Sequence, residues 1–268
     1  VVKKAIIPAA GYGTRSLPIT KVIPKEMFPI GVKPAIQYVV EEALDSGIEH
    51  ILIIVSRSKS MIVDYFDESL ELDTFLEQSN KQHLKSKLQI PKNQLHYTRQ
   101  PYAKGLGDAI RLGETFIGDE PFAVLLPDDI IVSEEKPGLR ELIHVFEQTG
   151  SSVIGLKEVE EKFLHQYGVI GGTKESEGIY KIQEMIEKPK KQAPSNLAVV
   201  GRYVLNPSIF FYLKKINPGA GGELQLTDAI KELIKKEICF GKVLTGDRYD
   251  IGNVNDYINI VNLMKPDN

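Results

Sequence analysis

Short apolar runs alternate along this chain with segments whose apolar residues recur at helical spacing, and the alternation predicts the elements. Residues 5–7 (Ala-Ile-Ile) and 51–55 (Ile-Leu-Ile-Ile-Val) are apolar at every position, as are strands buried on both faces of a parallel sheet. Residues 95–98 and 122–126 predict two further strands. Pro34 and Gly47 bracket a helix over 35–44, with proline in its first turn. A second helix is expected over 107–117. Over 58–90, Ile62, Tyr65, Phe66, Leu70, Leu72, Phe75 and Leu76 stand among charges at mixed helical spacing, which predicts one or two surface helices. Strand-helix-strand repetition implies an α/β protein with a parallel sheet, helices on both faces and ligands at the carboxyl ends of the strands.

The second half is less regular. Strands are expected at 152–159, 169–171, 178–186, 197–204 and near 240–244, with helices at 207–215, 224–237 and 254–264. No tandem repeat, low-complexity tract or long linker divides the chain, so one continuous unit over residues 1–268 is expected.

Residues 9–29, AAGYGTRSLPITKVIPKEMFP, turn the reading toward chemistry. They follow the first strand directly. Gly11 and Gly13 allow backbone conformations barred to other residues and let a ligand approach closely. Successive main-chain N–H groups in such a loop form an anion-binding concavity, to which Thr14 adds a hydroxyl. Arg15 offers a planar donor fork for phosphate oxygens, and Lys21 and Lys25 are mobile point charges. The loop is not a P-loop, because no lysine follows Gly13 at the required spacing. Ser16, Leu17 and Pro18 fit poorly with the helix start of a dinucleotide fingerprint.

The string G-x-G-T-R-x-L-P-x-T-K-x-x-P-K-E-M-x-P resembles the signature of the bacterial UTP-glucose-1-phosphate uridylyltransferases, or UDP-glucose pyrophosphorylases. Further segments match in the family's order: RQPYAKGLGDAI (99–110), LLPDDI (125–130), YGVI (167–170), IEKP (186–189), VGRYVL (200–205), GGELQLTDAI (221–230) and RYDIG (248–252). The resemblance runs essentially from end to end. It implies a Rossmann-like, mostly parallel mixed sheet of the sugar-nucleotidyltransferase type. A nucleotide-binding half would span about 1–135 and a sugar-binding half about 136–268.

The resemblance also implies roles for residues. Arg15, Lys25 and Lys188 would be catalytic. Ala10, Gly11, Gly13, Thr14, Arg15, Lys25, Gln100, Gly105 and Asp128 would bind the nucleotide, with Gln100 and Gly105 at the base. A glutamine amide supplies both a donor and an acceptor, as the imide edge of uracil requires. Gly168, Glu187, Lys188 and Tyr203 would line the sugar site, and Asp128 with Asp250 would hold Mg²⁺. Adjacent Asp128 and Asp129 past an apolar strand suit a hard cation shared with phosphate oxygens, although any single aspartate is by default a turn or cap residue. Read without the family, Gln100 is a surface residue, Glu187 and Lys188 form a charged turn before Pro189, Tyr203 could be core, and Glu223 could simply start a helix. Ser16, Asp108 (usually histidine) and Asp256 (usually glycine) depart from the family pattern.

The implied reaction joins UTP and glucose 1-phosphate into UDP-glucose, with a homodimer as the implied assembly. A related uridylyl- or thymidylyltransferase for another sugar 1-phosphate, or a non-catalytic nucleotide-sugar binder, are the alternatives. Composition narrows little further. The 268 residues, 42% hydrophobic, can bury a full core. A net charge of −3 without a basic stripe gives no electrostatic case for nucleic acid or membrane. The single cysteine, Cys239, suits a reducing cytoplasm and reads as a small buried residue.

Overall fold

The computed structural model describes residues 1–88 and 94–265. Residues 89 and 90, the end of the stretch expected to form surface helices, lie outside the described residues. The first half runs β1 (Lys4–Ala9), a tight hairpin of β2 (Pro29–Ile30) and β3 (Lys33–Pro34), α1 (Ala35–Asp45), β4 (His50–Val55), α2 (Ser60–Phe66), α3 (Leu70–Gln78), β5 (Leu95–Arg99), α4 (Leu106–Arg111), α5 (Glu114–Ile117) and β6 (Phe122–Leu125). The expected helix over 107–117 is thus two pieces. Gly113 stands at the break, pressed against β1: a Cβ there would come 2.4 Å from Ile6 Cδ1.

The chain continues through β7 (Asp129–Val132), α6 (Gly138–Thr149), β8 (Ser152–Glu158), β9 (Gly168–Ser176), β10 (Ile179–Glu187), β11 (Leu197–Leu205), α7 (Ile209–Leu213), α8 (Leu226–Leu233), β12 (Cys239–Val243), β13 (Asp247–Asp250) and α9 (Val254–Leu263). The pattern reading passes over α6, although its buried Leu139, Leu142, Ile143, Val145 and Phe146 are spaced for a helix. It also passes over β7 and β13.

Among the described residues nine strands form one mixed sheet in the order β5-β4-β1-β6-β11-β8-β12-β10-β9. The pairs β5–β4, β4–β1, β1–β6 and β8–β12 are parallel, and the others antiparallel. Helices cover both faces. Ala5, Ile7, Ala9, Ile51, Ile53 and Val55 pack with α1 and α6, while the alternate residues Ile6, Leu52 and Ile54 pack with α4, α7 and α8. This is why both strands are apolar throughout: each side chain faces a helix layer, and burying one isoleucine is worth about 2 kcal/mol.

Three features of this topology create the site. β1 and β6 are parallel neighbours, so the loops leaving Ala9 and Leu125 emerge side by side. β11 pairs with β6 only from Arg202 onward, so residues 197–201 run past the carboxyl end of β6. β13 pairs with β7 in a separate ribbon that sets Asp250 opposite Asp129.

Candidate active site

The loop after β1 folds into three 3-10 turns, at Thr14–Ser16, Ile19–Lys21 and Lys25–Met27. Gly13 has φ +65°, the left-handed region that glycine enters without strain, and its carbonyl accepts from Ser16 N at 3.0 Å and Thr20 Oγ1 at 2.9 Å. The first turn aims Arg15 across the loop mouth: Nη1 donates to Asp250 Oδ2 at 2.9 Å, and Nη2 lies 3.8 Å from Asp128 Oδ2. The third turn delivers Lys25, whose Nζ is 2.5 Å from Asp128 Oδ2. Beside it, Glu26 is buried and takes two 2.8 Å hydrogen bonds from the equally buried Lys59 at the start of α2. That pair pins the turn carrying Lys25, and sequence reading gave no sign of it.

Asp128 and Asp129 face different partners. Asp128 meets the two cations of the loop. Burial alone would raise its carboxyl, but Lys25, by charge and hydrogen bond, and then Arg15 hold it at about 2. Lys25 is correspondingly pushed up, since Asp128 and Glu26 outweigh its burial. Asp129 turns toward β11, accepting from Gly201 N at 2.7 Å and pairing with Arg248 at 2.5 Å. Gly201 must be glycine here, because a Cβ would come 2.6 Å from Leu126 Cβ and 2.8 Å from Asp129 Oδ2.

Behind both aspartates lies Arg202, with no exposure at all. It forms a two-pronged ion pair with Glu42 of α1 and donates to the carbonyls of Leu126, Gly201 and Asp129. The carbonyls on either side of Asp128 are therefore fixed by one guanidinium.

A cavity of about 470 Å³ opens in front of this wall, lined among others by Arg15, Asp128, Asp250, Glu187, Lys188 and Tyr203, and also by Gly168. The topology thus brings the expected phosphate, metal and sugar residues to one space. Glu187 ends β10 and accepts from Thr227 Oγ1 at 2.7 Å. Lys188 follows with φ +45°, a left-handed conformation uncommon for a lysine, held by its N–H donating to Tyr167 O at 2.9 Å. Tyr203 is 5% exposed, its phenol pushed up by burial and by Glu187. Gly11, Gly13 and Thr14 stay on the loop outside this lining. Thr227, Tyr167 and Arg248 line it without having been singled out, although all three lie in quoted segments.

Gln100 and Gly105 stand apart, joined to the cavity through Leu106. Gln100 is 3% exposed, which corrects the reading of it as a surface residue. Gly105 has φ +105°, and a Cβ there would come 2.6 Å from Leu224 O.

The sequence profile of the nucleotidyl transferase family matches residues 4–265. A UTP–glucose-1-phosphate uridylyltransferase of Bacillus subtilis is 51% identical over 254 residues, 94% of this chain and 87% of the relative. The crystal structure of a UDP-glucose pyrophosphorylase complexed with UDP-glucose superposes with a TM-score of 0.87 at 43% identity, covering 98% of each chain. A UTP-bound enzyme of that kind from Acinetobacter baumannii gives 0.91 at 37% identity, covering 98% of this chain and 93% of the other.

Proposed function

The chain belongs to the nucleotidyl transferase family, and from that premise we propose that it forms UDP-glucose and pyrophosphate from UTP and glucose 1-phosphate. The observation that carries this reading is the convergence of Arg15, Asp128 and Asp250 with Glu187 and Lys188 around one cavity, with Lys25 paired to Asp128 beside it. A phosphate oxygen of glucose 1-phosphate attacks the α-phosphorus of UTP in line, the bond to the β-phosphate breaks, and pyrophosphate leaves. No enzyme nucleophile is required, since the sugar phosphate is ionised at neutral pH. Catalysis is positioning and charge stabilisation.

Arg15 and Lys25 neutralise the triphosphate and the departing pyrophosphate. Lys188 holds the attacking phosphate, and Glu187 with Tyr203 and the Gly168 backbone holds sugar hydroxyls. The strained backbone of Lys188 supports that role, because such outliers concentrate where a side chain must be aimed. Ala10, Gly11, Gly13 and Thr14 cradle phosphate from the loop, and Gln100 with Gly105 takes the base. Asp128 and Asp250 suit Mg²⁺: both are hard carboxylates that meet at one guanidinium, and two such ligands leave the remaining positions of a magnesium ion to phosphate oxygens and water. When bound, the ion supplies charge neutralisation at the phosphates.

We place the nucleotide half over about 1–135 and the sugar half beyond it. Exposed Val254 and Ile258, one helical turn apart on α9, support a homodimer. Among the described residues no helix is long and apolar enough to cross a membrane, and the unpaired Cys239 supports a reducing compartment, the cytoplasm.

The test is pyrophosphate release with Mg²⁺, crossing UTP and dTTP against glucose 1-phosphate, galactose 1-phosphate and N-acetylglucosamine 1-phosphate. UTP with glucose 1-phosphate should give the highest kcat/KM. Another preferred pair would change the substrate, and no turnover with any pair would leave a nucleotide-sugar binder.

A further inference from the structure

Asp108 is buried at 5% exposure, and its two oxygens are divided between two partners. Oδ2 accepts from Gln100 Nε2 at 2.8 Å, and Oδ1 accepts from Arg111 Nη2 at 2.8 Å. Gln100 Nε2 also donates to Gly105 O at 3.3 Å. A carboxylate and a carbonyl are acceptors only, so the orientation of the Gln100 amide is decided by chemistry: its nitrogen must face Asp108 and Gly105. Both amide hydrogens are spent there, so of the donor and acceptor expected to meet the base Gln100 has only the acceptor, Oε1, left to offer.

We propose that Asp108 is a positioning residue that sets base selectivity by locking Gln100 as an acceptor. This rests on the reading of Gln100 as the residue that takes the base. A locked acceptor suits a pyrimidine whose ring N3 carries a hydrogen, as uracil and thymine do. It opposes cytosine, whose N3 is itself an acceptor. An unrestrained glutamine could rotate its amide and serve either base, so the selectivity resides in the buried carboxylate behind it.

The arrangement gives an isosteric inversion. In Asp108→Asn, Arg111 holds the one remaining oxygen, the new amide nitrogen faces Gln100, and at the cost of the longer 3.3 Å bond to Gly105 O, Gln100 turns Oε1 inward and its N–H₂ toward the base. The measurement is kcat/KM for UTP and for CTP with glucose 1-phosphate. Asp108→Asn should lower the UTP/CTP ratio about 10- to 100-fold, the scale of a mispaired buried hydrogen bond, with CTP gaining as UTP loses. Arg111→Ala, which leaves the carboxylate facing Gln100, should keep the wild-type ratio. A purely structural role for Asp108 would depress both nucleotides together. An unchanged ratio in Asp108→Asn overturns the proposal. Should that variant not fold, Asp108→Ala, which leaves only the longer 3.3 Å bond to Gly105 O to hold the amide, must also lower the ratio for the proposal to stand. Gln100→Leu separates the two levels: if it leaves the ratio unchanged, Gln100 does not read the base, and if it collapses the ratio while both Asp108 variants keep it, the lock alone is wrong.

Discussion

Three short 3-10 turns carry Arg15 and Lys25, whereas the carboxylates they meet stand at strand ends clamped from behind by a fully buried arginine. The loop's bonds to its own carbonyls are local, spanning three to seven residues, its long-range ties are side-chain ion pairs, and Tyr12, Leu17, Ile19 and Val22 project half or more into solvent. The wall at 126–129 is instead tied to α1 and β11, elements distant in sequence. The mouth of the loop around Arg15 gains little from burial, so that guanidinium can exchange a carboxylate for a phosphate at small cost. The wall cannot shift without leaving buried charge unpaired. One side of the site adapts and the other supplies the fixed reference.

The contrast breaks first at Arg202. Arg202→Met leaves Glu42 buried without its ion partner, which should cost about 3–5 kcal/mol in urea unfolding; a loss below about 1 kcal/mol would mean the wall is not clamped as described. On the loop the consequence should reverse. Arg15→Ala should lower turnover on the order of 10³-fold yet cost less than about 1 kcal/mol of stability, because its guanidinium is more than half exposed and screened and Asp250 keeps Gly252 N and Arg248 as partners. Lys25→Ala should lose turnover on the same scale, and rates within tenfold of wild type for both variants would remove them from the mechanism. The smallest effect is the acid limb of the stability curve. Asp128 titrates near 2 when folded, against about 3.9 unfolded, so its contribution is complete above about pH 4 and is lost as pH falls through 2. The loss should be about 2 kcal/mol, and Asp128→Asn should flatten that part of a urea-midpoint profile.

Legibility in the sequence follows the range of the interactions. β1 and β4 were readable because both their faces are buried, and a run of isoleucines states that locally. The loop was readable because glycines, arginine and lysines act within twenty residues of one another. Arg202 and Glu42 meet across 160 positions, and nothing beside either residue announces the other. Gln100 was misread for a related reason: between Arg99 and Pro101 it has polar, solvent-facing company, and the groups that satisfy it in the interior, Asp108 and Gly105 O, are supplied by the next turn of chain. β7 and β13 are four residues each, Asp-Ile-Ile-Val and the mostly charged Asp-Arg-Tyr-Asp, too short for their pairing with each other to carry a periodic signature. α6 had that signature.

The position of β11 has a consequence for synthesis. All nine of its residues are buried, and it fills the edge of β6, a strand made long before it. A chain leaving the ribosome with only the first half finished presents Phe-Ala-Val-Leu with one row of backbone donors and acceptors unpaired, a template for strand addition by another nascent chain. Closure must wait for a non-local strand, which slows folding. A fragment ended near residue 135 should therefore aggregate rather than fold as an independent module, and a nascent chain paused there would need a chaperone to shield the open edge.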